Sequence, residues 1–258
     1  MSNVTPSYRW HMKKIARKSL AWGLWGSGIL ALQRRSSRTP GMRAVTYHRF
    51  GDTSRDPFCV SQSNFADQMA YLADHNLSVS LADMERFLIG DEPLKEGAVL
   101  VTIDDGFRSL YSHALPILKE YQIPAVAFIT ASLIGNGDRQ SKQYSLHMPE
   151  PYLSWQEVEK IADAGITIGS HAWTHRSLGA LTNEEIENET IRSKESLEQH
   201  LNRPVNGFAY PFGTQADFNS TTATVLRRNG YTCAFTSQHG RIRPGMDAFV
   251  LPRVKVEG

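Results

Sequence analysis

Two short stretches of this 258-residue chain carry side chains fit for hydrolysis. The first is Thr102-Ile103-Asp104-Asp105-Gly106. Adjacent carboxylates on an extended backbone point different ways, so one can hold a cation while its neighbour stays free to take a proton. The second is Ser170-His171-Ala172-Trp173-Thr174-His175, with two histidines spaced i, i+4. On a helical turn that spacing puts both imidazoles on one face, where they can share an ion. Two histidines and one carboxylate, with positions open to water and substrate, make a hydrolytic metal site. Taken singly, each stretch has a bland reading: an Asp at a strand-to-helix turn caps the helix, and paired histidines occur on surfaces by chance. Together, at the ends of two strand-like runs, they are much harder to dismiss.

The same residues resemble a known family. Thr102-Ile103-Asp104-Asp105-Gly106 is similar to the T-F-D-D-G motif of the NodB-homology polysaccharide deacetylases, carbohydrate esterase family 4. Ser170-His171 through His175-Arg176-Ser177-Leu178 resembles their S-H-x-x-x-H motif, and the likeness runs from Arg43 to the C-terminus. It implies a distorted (β/α)7-type barrel, an α/β fold, and removal of N-acetyl groups from amino sugars of a polysaccharide or lipid-linked glycan. Family correspondence makes Asp104 the general base and Asp105, His171 and His175 the metal ligands. Zinc suits that set, and cobalt, nickel or iron also fit. Such an ion would polarise the acetamide carbonyl and acidify water. By the same analogy the turn Tyr210-Pro211-Phe212-Gly213 faces the substrate, the Phe212 amide stabilising the oxyanion. His48, ending the first strand, is a candidate acid or substrate contact.

There are departures from the family pattern. The arginine often found two residues before the proline, which orients the catalytic Asp, is Ala209 here; Phe208-Ala209-Tyr210-Pro211-Phe212-Gly213 resembles instead a branch reading F-A-Y-P-x-G. The late motif bearing an acidic histidine is not evident, since no histidine follows His239. Proton donation then falls to His48 or His147. A poorer acid also keeps two alternatives open, an O-acetyl esterase acting on a glycan and a catalytically silent carbohydrate-binding barrel.

The elements that must position these groups are read from periodicity. Ala98 to Ile103 is an apolar, largely β-branched run, as in a buried parallel strand, and ligands bind where such strands end. Similar runs at Ala44–Tyr47, Ile123–Thr130, Ile166–Ser170, Gly207–Tyr210 and Tyr231–Thr236 alternate with amphipathic segments. Capping boxes Ser154-Trp155-Gln156-Glu157 and Thr182-Asn183-Glu184-Glu185 open two of the helices. Ser63 or Asn64 caps another, and one over Ser109–Tyr121 contains Pro116, as a kink or a second start. Residues 135–151 are rich in turn formers and form a long loop. Repeated βα alternation predicts a mainly parallel sheet, either closed or open.

Composition sets bounds on the rest. With 41% hydrophobic and 21% charged residues the chain is ordinary for a soluble globular protein. Two cysteines, Cys59 and Cys233, make neither a disulfide framework nor a thiolate metal cluster. The net charge of +2 hides an asymmetry: residues 1–40 hold eight Lys or Arg and no acid, so residues 41–258 carry −6. The apolar stretch Leu20–Leu32 is shorter than the roughly 20 residues a bilayer span needs. It reads as a basic amphipathic arm lying on an anionic membrane surface, ahead of a deacetylase domain over 41–258. A secretory signal lacks its cleavage site, since Gln33-Arg34-Arg35 stands there, and packing of the arm on its own domain or a second subunit is the remaining reading. The expected location is cytoplasmic, peripheral on the inner face of the membrane, with export left open. No motif supports nucleic-acid binding. The partner expected is an N-acetylated glycan, and oligomeric state is not legible.

Overall fold

A computed structural model of the protein describes residues 41–51, 56, 58–135 and 150–257. The basic arm over residues 1–40, His147 and most of the long loop lie outside these residues.

Seven strands form one parallel sheet. They are β1 (Arg43–Tyr47), β4 (Val99–Ile103), β5 (Ala125–Ile129), β6 (Thr167–Ser170), β7 (Gly207–Ala209), β8 (Cys233–Phe235) and β9 (Val254–Lys255), in the spatial order β8-β7-β6-β5-β4-β1-β9. A small parallel ribbon of β2 (Arg49–Phe50) and β3 (Cys59–Val60) stands apart from it. Strand neighbours follow chain order along most of the sheet, as right-handed βα units require. The sheet curls until its two edges are bridged by the segment that precedes β9. Thr236 donates to the Leu251 carbonyl at 2.8 Å, Leu251 donates to Ala234 at 3.0 Å, and Phe235 and Leu251 pair in parallel. The protein is therefore the curled parallel barrel expected, with all strand C-termini at one mouth.

Alternation along the strands sorts the core into two sets. Leu100, Val126, Phe128, Phe235 and Leu251 belong to an inner cluster, closed by Leu81, Met84, Phe87 and Leu88 of helix α2 (Leu81–Ile89), which follows α1 (Gln62–Asp74). Val101, Ile103, Ala125, Ala127 and Ile129 point outward to the helices. The helical layer continues with α3 (Leu115–Glu120), α4 (Trp155–Asp163), α5 (Asn183–Leu201) and α6 (Ser220–Arg228).

Local chemistry explains most helix boundaries. Ser154 and Thr182 form the expected capping boxes. The cap of α1 is Ser61, two or three residues earlier than expected, with its side chain accepting from the Asn64 amide. The segment before α3 is a π-helix over Leu110–Ala114, and Pro116 sits in the first turn of α3, where its missing N–H costs no intrahelical bond. Ahead of α2, Ser78 makes a single parallel bridge with Val99 of β4.

Candidate active site

The side chains of β4 alternate, so Leu100, Thr102 and Asp104 share its inner face, and all three are buried. The backbone then leaves the strand abruptly. Asp105 and Gly106 both take positive φ, 77° and 86°, and this double turn aims the Asp105 carboxylate across the mouth toward the end of β6. Gly106 is required there on two counts: its φ suits glycine, and a Cβ would lie 3.3 Å from the terminal methyls of Ile129 and Ile134.

Beyond Ser170 the chain is irregular, so the expected helical turn carrying both histidines is corrected. Ala172 and His175 have positive φ of 63° and 61°, and these bends bring the imidazoles together instead. Non-glycine residues rarely adopt such angles, and three of them around one cluster mark backbone strain held by its surroundings. Here the holder is Glu189 of α5, a buried acid that accepts from the Thr174 amide at 2.8 Å and from the Thr174 hydroxyl. The sequence reading did not single it out.

Asp105 Oδ1 lies 3.3 Å from Nε2 of His171 and 3.3 Å from Nε2 of His175. The three ligand atoms fall within 4.8 Å of one another. Their chemistry fits a cation. The Nδ1 of His171 is 2.7 Å from the Ala209 carbonyl, which can only accept, so Nδ1 bears a proton and Nε2 is the nitrogen whose lone pair the neutral ring would offer to a cation. Asp105 Oδ1 is buried with no hydrogen-bond partner. A divalent ion between these atoms would satisfy all of them, and zinc accepts this donor set. Burial opposes charge on both partners, yet the two imidazoles hold Asp105 well below the usual carboxylate range, and Asp105 raises His171.

Asp104 is held from the other side of the barrel. Arg253 donates from Nη1 to Oδ1 at 2.8 Å and from Nη2 to Oδ2 at 2.7 Å, with both side chains 3% exposed. The guanidinium is itself fixed by the Thr236 carbonyl at 3.0 Å and the Thr102 hydroxyl at 3.2 Å. Burial alone would raise the Asp104 pKa; the Arg253 charge overcomes this and lowers it. The orienting arginine absent at position 209 thus arrives from the segment that bridges the sheet edges. An arginine inside the apolar run Phe249–Val256 was the signal for it.

His48 directly follows β1 with its Nδ1 buried and without a hydrogen-bond partner, and the Phe58 ring meets it edge-on at 5.3 Å. Burial pushes its pKa below 6.5, against the pull of Asp105 and Asp104. It belongs to the same cluster as the two acids.

The Pro211 turn is unusually tight. Gly213 donates to the Pro211 carbonyl at 2.7 Å around Phe212 at φ 60°, a three-residue γ-turn of the strained hand. Ser237 clamps it, with its amide donating to Gly213 at 2.9 Å and its hydroxyl to the Phe212 carbonyl at 2.7 Å. These hydrogen bonds leave the Phe212 amide uncommitted to the turn itself. Tyr210 is buried, and its hydroxyl donates to the Phe249 carbonyl at 3.0 Å, so its side chain supports the turn from beneath. Asp217 ties the two loops together, accepting from the Ser177 hydroxyl at 2.6 Å and from the Thr214 amide at 2.8 Å.

A curled parallel barrel with paired acids after β4 and two imidazoles after β6 is the arrangement of a polysaccharide deacetylase. The profile of that family, described as polysaccharide deacetylase, matches residues 91–234, and the chain belongs to it. It is 26% identical to the poly-beta-1,6-N-acetyl-D-glucosamine N-deacetylase of Escherichia coli over 78% of this chain and 34% of that protein, so it spans about a third of that relative's length. The enzyme of the same name from Staphylococcus epidermidis is 25% identical over 77% of this chain and 68% of its own. Among solved structures, IcaB from Ammonifex degensii superposes with a TM-score of 0.71 at 29% identity, covering 84% of this chain and 92% of that one. The deacetylase PplD of Streptococcus pyogenes, solved in complex with acetate, has a TM-score of 0.73 at 22% identity, covering 85% and 94%, and shows the shared fold.

Proposed function

We propose that this chain is a metal-dependent N-deacetylase of a poly-N-acetylhexosamine glycan, with poly-β-1,6-N-acetyl-D-glucosamine, the substrate named for its relatives, as the first polymer to test. The observation that carries the reading is the convergence of Asp105, His171 and His175 on one point beside a separate, arginine-held Asp104. A divalent ion at that point, most suitably zinc, supplies polarisation of the acetamide carbonyl and a lowered water pKa.

The chain's own groups do the rest. Asp104, ionised at neutral pH, takes a proton from the attacking water with the lone pairs that Arg253 leaves free. The Phe212 amide donates to the oxygen that becomes an oxyanion as water adds to the carbonyl carbon. His48 delivers a proton to the nitrogen as the C–N bond breaks, releasing acetate and a free amine. The basic arm over residues 1–40 is proposed to hold the enzyme against an anionic membrane surface on the cytoplasmic side, where such a glycan or its lipid-linked precursor is accessible. No helix among the described residues is long and apolar enough to cross a membrane.

Metal analysis of the purified protein with acetate release from N-acetylated and O-acetylated oligosaccharides tests the reading. Zinc at about one equivalent and acetate from the amide are expected. Acetate from esters alone makes it an esterase, and glycan binding without any acetate makes it a silent barrel.

A further inference from the structure

Phe212 is an anomaly by local energetics. A side chain at positive φ is strained in a way glycine would avoid, and the next residue, Gly213, is indeed glycine. The ring does not repay this through the core, because Phe212 is 57% exposed. It stands at the rim of the cluster instead, its centroid 4.9 Å from the ring of His175 at an interplanar angle of 69°. Phe58, also exposed and beside the site, differs: the Lys255 ammonium lies 3.5 Å from its ring centre and His48 packs against it.

We infer that the Phe212 side chain is a stacking platform for the sugar ring that carries the reacting acetamide, and so a specificity-determining residue for pyranose substrates. A hexosamine in its chair form presents a face of axial C–H groups, which packs on the negative face of an aromatic ring, while its hydroxyls stay in water. The Phe212 amide lies in the same residue as the ring. A sugar seated on the ring is therefore held one residue's width from the oxyanion donor and His175, and the γ-turn clamped by Ser237 fixes both functions in one orientation. The inference rests on the deacetylase reading for its reaction but not for its binding.

The test compares kcat/KM for an N-acetylglucosamine oligomer with kcat/KM for a small aryl acetate that has no sugar. Taking the ratio cancels any effect of substitution on the oxyanion turn. Phe212→Ala and Phe212→Leu should lower the ratio about tenfold, chiefly through KM for the oligomer, and Phe212→Trp should restore it. An unchanged ratio in Phe212→Ala overturns the platform. If the wild type releases no acetate from any glycan, the deacetylase reading fails, and the platform is judged by calorimetric titration of the same oligomer. A Kd raised about tenfold in Phe212→Ala upholds it, whereas an equal Kd, or no binding by the wild type, overturns it.

Discussion

Arg253 grips both carboxylate oxygens of Asp104 across 149 residues of sequence, with distances of 2.7 and 2.8 Å and no solvent between them. This fork-to-fork pairing does two opposed things to Asp104 in its proposed role as base. It keeps Asp104 ionised and aimed, and it lowers its proton affinity, making the base weaker but always available. The arginine reaches the site from the segment that bridges the sheet edges, Leu251-Pro252-Arg253, which leads into β9 beside β1, and its side chain spans to Thr102 and Asp104.

Removing that arginine strands a buried charge. Arg253→Met should destabilise the fold by about 3–5 kcal/mol at pH 7, measured by urea unfolding. The sign of its pH dependence follows from the shift. Asp104 has a depressed pKa, so its stabilising contribution is complete above 3.8 and is lost as pH falls through the lower folded value. In the variant both Arg253 contributions are gone and burial is opposed only by the charges of His171 and His48, so the pKa should rise and the gap between wild type and variant should narrow at acid pH. The acid limb of kcat/KM should also move to higher pH, and an unmoved limb would take Asp104 out of the base role.

Asp105→Asn, His171→Ala and His175→Ala each remove one arm of the proposed cation cradle. Metal content by mass spectrometry should fall well below stoichiometric, with acetate release down by about a thousandfold or more. Chelator treatment of the wild type should abolish activity, and zinc or cobalt should restore it.

His48→Ala separates proton donation from the rest of catalysis. Amide hydrolysis should slow by about 10²- to 10⁴-fold. Hydrolysis of an activated aryl acetate, whose leaving group needs no proton, should suffer much less. Equal losses on both substrates would make His48 a structural residue.

Gly213→Ala attacks the turn proposed to hold the oxyanion. An added Cβ would sit 2.6 Å from the Ser237 nitrogen at a backbone φ of 66°, so the clamp must open. Acetate release should drop by about 10²-fold through kcat, with metal content unchanged.

Deleting residues 1–40 removes eight cationic side chains and no acid. Partition into anionic liposomes should fall steeply, since each basic residue near such a surface contributes about 1 kcal/mol. Equal partition of the full and shortened chains would end the membrane role.

The carboxylates and imidazoles are legible in the sequence, because strand character and the polar residues that end a strand lie within about ten neighbours of each other. Periodicity over Ala98–Ile103 and Ile166–Ser170 marks two buried strands, and chemistry at their ends follows from where parallel strands deliver side chains. The capping boxes at Ser154 and Thr182 were legible for the same reason. By contrast, the loop angles at Ala172 and His175, the Glu189 anchor on Thr174, the Ser237 clamp and the reach of Arg253 to Asp104 join segments 15 to 149 residues apart. Such pairings depend on how the sheet curls and where its edges meet. No window of local sequence encodes that closure, because it is settled by packing among all the strands at once.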